Sequence, residues 1–346
     1  MTMEGTPART APAANAPQPR SRWKRLVALA IWAYLILIIA LWLWMRSRGD
    51  RGPWATIFLF GPRWLCILPL ALLVPLAAIW QRRLWWVLVI ALAIAVVTLC
   101  GFRLNFPQPN APYKLRIVTC NVDQQQYSAK ALAELVRSLD PGIVALQECK
   151  QDPPPQVWPP GWNVVRFDEL LVASPHPVTR ADFATRPSIP NKPAVALYRV
   201  ELPNGELQLF NLHLITPRPG LEAVLDSRRG IELAGLPALE EILRVRDDES
   251  QSLSHWVLQH PGPKIVVGDF NTPDDSVVFR RDWSGLSNAF ATTGWGLGFT
   301  KFTETHGWIY GARIDHVLFS PPWSCVRAWV GPDIGSDHRP LVVDLR

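Results

Sequence analysis

Lys264-Ile-Val-Val-Gly-Asp-Phe-Asn271 is the stretch on which the reading of this chain turns. Three β-prone residues, Ile265 to Val267, run into a glycine, and a carboxylate (Asp269) and an amide (Asn271) follow two positions apart. Side chains alternate faces along an extended segment, so Asp269 and Asn271 are expected on one face, with Phe270 turned back into packing. The spacing thus predicts an oxygen base beside a neutral donor/acceptor at the mouth of a buried strand.

Outward from that strand, other strands end in polar residues. Leu115–Cys120 is a β-rich run ending at Asn121. Ala129–Leu139 carries Leu132, Leu135, Val136 and Leu139 at helical spacing behind Ser128 as N-cap, and Asp140-Pro141-Gly142 stops it. Ile143–Leu146 is a second buried strand, ending in Gln147-Glu148. This strand–helix–strand unit delivers Asn121 and Glu148 to carboxyl ends of strands, where α/β sheets bind ligands. A Pro- and Trp-rich stretch with short strands follows. Ala194–Leu202 and Glu206–Ile215 flank Pro203-Asn204-Gly205, a hairpin signal, and the second arm presents Asn211 and His213 on one face. Leu239–Gln259 is expected as a helix, broken before by Pro237 and stopped by Pro261-Gly262. A strand around Arg313–Phe319 contains Asp315, and Gly335-Ser-Asp337-His338-Arg-Pro340 leads into Leu341–Leu345. No internal repeat is visible.

The first third differs in kind. Residues 1–112 hold 12 Lys/Arg and 2 Asp/Glu, whereas residues 113–346 carry a net charge of −4 within a whole-chain +6. The basic balance therefore belongs to the N-terminal third, and the remainder lacks the surplus expected of a nucleic-acid binder. Residues 1–22 read as a disordered Ala/Pro/Arg-rich tail. Residues 23–103 read as an all-α transmembrane region with spans over about 26–45, 64–80 and 84–102, the second extending back through Ala55–Phe60 across Gly61-Pro62-Arg63. Three such runs without a small-residue cleavage site argue against a signal peptide. Residues 104–112 read as a linker and 113–346 as the catalytic domain. Seven basic residues (Arg9, Arg20, Arg22, Lys24, Arg25, Arg82, Arg83) against four (Arg46, Arg48, Arg51, Arg63) bias the N-terminus inside, so three spans place the catalytic domain outside the cytoplasm. The five cysteines show no paired spacing and read as free core thiols.

The strand-end residues are Asn121, Glu148, His213, Asp269, Asn271, Asp315, Asp337 and His338. Oxygen ligands dominate and no Cys/His cluster has zinc spacing, so a hard cation, Mg²⁺, Mn²⁺ or Ca²⁺, fits better than zinc. Such a set suits activation of water against phosphorus by Asp269, with an Asp–His couple stabilising charge or protonating a leaving oxygen. Nucleophile elbows, Walker-type loops and GxGxxG patterns are absent.

Thr119-Cys-Asn-Val-Asp123, Leu146-Gln-Glu148, Asn211-Leu-His213, Gly268-Asp-Phe-Asn271, Arg313-Ile-Asp315-His and Ser336-Asp-His338-Arg-Pro340 occur in this order. Together they resemble the endonuclease/exonuclease/phosphatase superfamily of metal-dependent phosphoesterases over Tyr113–Arg346. The resemblance implies a four-layer α/β sandwich, two mixed sheets face to face with helices outside. It implies Glu148 as main metal ligand with Asn121 close by and Asp337 joining, Asp269 as the group that activates water, and Asn271 holding the scissile phosphate. It further implies His213 and His338 on phosphate oxygens, with Asp315 assisting His338; Asp123 matches only some branches. Singly, each has a plainer reading: Glu148 a solvated carboxylate, His213 a packing histidine, Asp269 a turn cap, Asp337 a turn residue. Jointly, so many parts in one order favour a site. Trp158, Trp162 and Trp308 read as packing, and Arg218, Arg228 and Arg229 as a solvated face.

The expectation is a membrane-tethered phosphodiesterase acting on nucleic acid or a phospholipid head group, with the bilayer as its contact and no protein partner. Net negative charge argues against tight duplex binding, tethering favours lipid, and Arg313-Ile-Asp-His316 departs from the inositol 5-phosphatase version of that motif. A non-catalytic receptor or scaffold is the rival class. Transport lacks support, because Arg63 alone marks a charged position within the apolar segments.

Overall fold

The computed structural model describes residues 19–106, 111–226, 230–305 and 308–346. The run Ile265-Val266-Val267 lies in a strand, Lys264–Asp269, that is buried throughout. Ile265 and Val267 face a second sheet across the central core, together with Ile117, Ile143, Tyr198, Leu209 and Val343. Val266 faces the other way, into a layer shared with Phe210, Leu253, Val257 and Trp283. Burial on both faces explains why the run is continuously apolar rather than alternating.

Among the described residues, each of the two sandwich sheets has six strands. The first runs Cys325–Val330, Leu341–Leu345, Leu115–Asn121, Ile143–Gln147, Leu170–Ser174, Asn163–Phe167. The second runs Ser287–Asn288, Asp315–Phe319, Lys264–Asp269, Gly205–His213, Ile189–Leu202, Val178–Arg186. Both are mixed, and each holds one parallel pair at its centre: Leu115–Asn121 with Ile143–Gln147, and Gly205–His213 with Lys264–Asp269. The helix Ala129–Leu139 covers the first sheet through Leu132, Leu135 and Val136. Ser128 caps it by accepting from Ala131 N at 3.2 Å, as its position predicted. The helix Leu236–Gln259 covers the second sheet through Leu253 and Val257. The result is the four-layer α/β sandwich expected from the sequence.

Several boundaries differ from those expectations. The long helix starts at Leu236, and Pro237 sits in its first turn, where a missing N–H costs nothing. The first hairpin arm starts at Ile189, and Leu202 pairs with Gly205, so the turn itself is Pro203-Asn204. Trp308 begins a strand, Trp308–Ala312, rather than lying in a loop. Trp158 and Trp162 stack at 5.8 Å against the outer core, as packing.

Three helices ahead of the sandwich are long and apolar enough to cross a membrane: Arg22–Arg51, Arg63–Trp80 and Arg82–Leu99. The first extends back to Pro19, inside the segment read as tail; residues 1–18 lie outside the described residues. Pro53–Phe60 is a separate short helix, cut from the second by Gly61-Pro62. The three pack on one another through Ile31, Ile38, Leu73, Ala77, Val87 and Ala91. Outward they present Leu29, Ile36, Leu72, Ile79 and Val89, all exposed.

A polar seam also ties the helical region to the sandwich; of the segment read as linker, residues 107–110 lie outside the described residues. Arg103–Leu104 pairs with Trp295–Gly296. Asp50, itself buried, accepts from Val277 N at 3.1 Å and Val278 N at 3.2 Å, capping the helix Val277–Asp282. Gly49 has φ +44°, and a Cβ there would stand 2.7 Å from Val277 Cγ2, so glycine is required on both counts. Arg63 binds Asp275 at 2.5 Å and the carbonyls of Leu59 and Leu99. Arg103 and Arg313 share Asp274, at 2.6 and 2.7 Å. Asp50→Ala leaves two buried N–H groups without acceptors, each worth ~1–3 kcal/mol. The expected result is a lowered Tm with detachment of the 272–282 segment, read as faster amide exchange there than elsewhere in the sandwich.

Candidate active site

The two parallel pairs set the site. In register, Asn121 stands beside Gln147, and Asp269 beside His213, so the carboxyl ends of both central pairs converge at one edge. The antiparallel neighbour Asp315–Phe319 begins at that same edge, with Asp315 opposite Asp269. His338 precedes Leu341–Leu345, which pairs antiparallel with Leu115–Asn121. Two sheets packed face to face thus bring together residues more than 200 positions apart in the chain.

Asn121 is buried, and its Nδ2 donates to Glu148 Oε1 at 2.9 Å and to Asp269 Oδ2 at 3.0 Å, joining the two sheets. His213 Nε2 lies 3.5 Å from Glu148 Oε1 and 3.8 Å from Asp269 Oδ2. His338 Nδ1 bonds Asp315 Oδ2 at 2.8 Å, and its Nε2 lies 3.7 Å from Asp269 Oδ2. Glu148 takes a left-handed backbone, φ +54°, which turns its side chain off the strand line, and that side chain keeps 20% exposure. Asp337 is ion-paired with Lys301, and its Oδ1 lies 3.9 Å from His338 Nε2. Asp123 donates its N–H to Asn121 Oδ1 at 2.9 Å.

Asn271 departs from the alternation expected of it. The strand ends at Asp269, and Asn271 sits in a turn with φ +48°. Its N–H donates to Asp269 Oδ1 at 2.8 Å, and its Nδ2 donates to Leu214 O at 2.8 Å and Asp269 Oδ2 at 3.2 Å. The side chain still meets Asp269, through an Asx-type turn and not through strand pleating.

Burial raises the Asp269 carboxyl well above its ordinary value, and the neighbouring Asp315 adds to the rise. For His338 burial works against charge, but Asp315 and Asp269 outweigh it and lift the imidazole to about 9. His213 moves the other way, held neutral by burial and by Arg186. The edge therefore carries a cationic and a neutral histidine on either side of one carboxylate. That pairing suits contacts to an anion of spread charge next to a base. His316, beside Asp315 in sequence, is a packing residue: it bonds Asn288 and Thr272 O, and burial lowers it to about 4.

Several supporting residues escaped the sequence reading. Arg246, buried, donates to Ile215 O, to Asn271 O at 2.9 Å and to Thr272 Oγ1 at 2.8 Å, fixing the turn after Asp269. Glu249, one turn on, accepts from Ile215 N at 2.6 Å and pairs with Arg186, which in turn donates to His213 O at 2.7 Å. Arg and Glu at i and i+3 on the face that also carries Leu243 and Leu253 were the available signal. Gln147 donates to Asn211 Oδ1 at 2.7 Å, and Asn211 donates to Leu146 O and Leu171 O, a buried polar tie between the sheets. Arg218 is exposed and paired with Glu222, while Arg228 and Arg229 lie outside the described residues.

The chain matches the Endonuclease/Exonuclease/phosphatase family over residues 118–338. No curated protein sequence matches it. Among solved structures, D. rerio TDP2 complexed with a single-strand DNA product aligns at a TM-score of 0.50 and 14% identity, over 67% of this chain and 98% of that one. Truncated Caenorhabditis elegans TDP2 aligns at 0.46 and 15%, over 67% and 97%. Bacteroides thetaiotaomicron mannosyl-6-phosphatase Bt3783 aligns at 0.45 and 16%, over 67% and 100%. With the family matched from the second residue-pair of the first central strand to His338, the chain belongs to the Endonuclease/Exonuclease/phosphatase family and is, with it, a phosphoester hydrolase.

Proposed function

We propose that this protein is a membrane-tethered, divalent-metal-dependent phosphodiesterase that hydrolyses a P–O bond by direct attack of water. The observation that carries the reading is the buried carboxylate Asp269, bonded through Asn121 to Glu148 and flanked by His213 and His338. A hard cation is supported by oxygen donors at this edge: Glu148 is partly open with Asn121 beside it, Asp337 Oδ1 is buried without a hydrogen-bond partner, and ligand atoms of Asp269, Asp315 and His338 converge within 4.8 Å. Glu148, Asn121 and Asp337 would hold Mg²⁺ (or Mn²⁺ or Ca²⁺), which supplies Lewis-acid polarisation of a phosphoryl oxygen.

The chain's own groups do the rest. Asp269 orients a water and takes its proton, which its raised proton affinity favours. Asn271 has one amide hydrogen on Leu214 O and the other on Asp269 Oδ2 at 3.2 Å, and it holds the scissile phosphate by exchanging the longer of these bonds for one to a phosphate oxygen. His338, kept charged and oriented by Asp315, donates to the oxygen on which charge develops. Neutral His213 adds an uncharged hydrogen bond.

Tethering is supported by three span-length helices whose outward side chains are apolar. An N-terminus inside then puts the catalytic domain outside the cytoplasm, which a reporter fused at the C-terminus reads directly. Because the seam through Asp50 and Arg63 ties the helices to the segment following Asn271, the full chain is the form to assay. It is presented with single- and double-stranded DNA, RNA, sphingomyelin and phosphoinositides, with Mg²⁺, Mn²⁺ or Ca²⁺ and then with EDTA. Hydrolysis that chelation lowers by at least ~10²-fold is expected. Hydrolysis indifferent to EDTA removes the metal, and no hydrolysis of any substrate returns the scaffold reading.

A further inference from the structure

A cavity of about 350 Å³ lies where the helical region meets the sandwich. That volume falls within the ~300–1,000 Å³ of small-molecule sites. One wall is helical: Ile67 near the start of the second apolar helix, Val96 near the end of the third, and Phe102 just beyond. The other wall belongs to the sandwich: Leu297, Phe299 and Phe302. Arg63 also borders it, but its guanidinium is committed to Asp275 and to two carbonyls.

The sandwich wall is shared with the active site. Phe302 lines the cavity, while its N–H donates to Asp337 O at 3.1 Å. Its neighbour Lys301 is ion-paired with Asp337 and bridges His338 through the backbone. Thr300 Oγ1 accepts from Asp315 N at 3.1 Å. One short segment, residues 299–302, thus separates hydrocarbon from the catalytic histidine. On the helical side, Leu65, Leu68 and Val97, sequence neighbours of the lining residues, are exposed apolar side chains. What stands against them in a bilayer is lipid hydrocarbon.

We propose that this cavity receives one hydrocarbon chain of a membrane lipid, held one segment away from His338. On the phosphodiesterase reading, a held lipid chain favours an amphiphilic phosphoester drawn laterally from the bilayer as the substrate class. The inference rests on the phosphodiesterase reading for its chemistry and on the cavity for its specificity, and the two are separable.

The test uses the full chain in phosphatidylcholine vesicles containing a phosphatidylcholine with a photoactivatable acyl chain. After irradiation, label is expected on the 297–302 peptide as well as on outer helix faces. Ile67→Trp and Val96→Trp, which fill the cavity from different helices, are each expected to abolish label on that peptide. Leu72→Trp, on an exposed outer face, is expected to leave it. Competition by unlabelled polyprenyl phosphate against unlabelled phosphatidylcholine identifies which chain is held. Label confined to outer helix faces overturns the proposal, as does label on the 297–302 peptide that neither filling substitution reduces. Hydrolysis of bis(p-nitrophenyl) phosphate is followed in parallel: hydrolysis without labelling of the peptide refutes the cavity alone, and labelling without hydrolysis refutes the phosphodiesterase alone.

Discussion

Asp269→Asn is expected to lower turnover of any substrate by ~10³-fold or more, within the range for losing a positioned base and its charge. Asparagine is nearly isosteric, so one side-chain oxygen still accepts from Asn271 N, as Asp269 Oδ1 does at 2.8 Å. What disappears is the proton acceptor, the negative charge facing His338, and the Oδ2 that accepts from Asn121 Nδ2 and Asn271 Nδ2. Stability should not fall in step. Asp269 is a buried carboxylate opposite a second one, Asp315, and removing its charge relieves that repulsion. Relief of that repulsion offsets the two lost hydrogen bonds to Oδ2, so the expected Tm of the metal-free variant is close to that of the parent. Turnover and Tm falling together would mean that Asp269 is a structural residue.

His338→Ala is expected to act on both properties. Loss of a positioned donor to developing charge costs ~10²–10³ in turnover. The same change leaves Asp315, fully buried, without its partner, and stranding one member of a buried ion pair costs ~3–5 kcal/mol. The pH dependence identifies the cause. In the folded protein His338 is lifted from 6.5 to about 9 by Asp315 and Asp269 against the opposing effect of burial, so folding favours the protonated form. Its contribution to stability is complete below pH 6.5 and is lost as the pH rises through about 9. Metal-free parent protein should therefore lose stability across that window, and His338→Ala should lack this part of the slope. An unaltered slope would mean that the imidazole is neutral.

The strand-end residues were legible because each stands where an apolar run stops, and that signal is local. Asn121, Glu148, His213 and Asp269 all occupy the expected edge. The α/β character followed from apolar runs with the helix at Ala129–Leu139 between two of them, and the four-layer sandwich from the resemblance carried by the ordered motifs. What the sequence hid is non-local. Arg246 and Glu249 read only as positions in the expected helix Leu239–Gln259 until that helix is laid against the turn at Asn271 and the loop after His213. Asp50 stands between two arginines in sequence, and only the fold shows it capping a helix more than 220 residues away. Asn271 was misplaced for a different reason: alternation holds only while the strand lasts, and the backbone turns left-handed two residues after Asp269 begins the site edge.

The central claim is that a metal-dependent water attack on phosphorus takes place at Asp269. It is tested most directly by hydrolysing bis(p-nitrophenyl) phosphate with the full chain in ¹⁸O-labelled water. With Mg²⁺ present the account predicts label incorporated at phosphorus in the product p-nitrophenyl phosphate, and loss of product formation on chelation or in Asp269→Asn. Unlabelled p-nitrophenyl phosphate, or labelled product formed equally well in EDTA or by the variant, would contradict it.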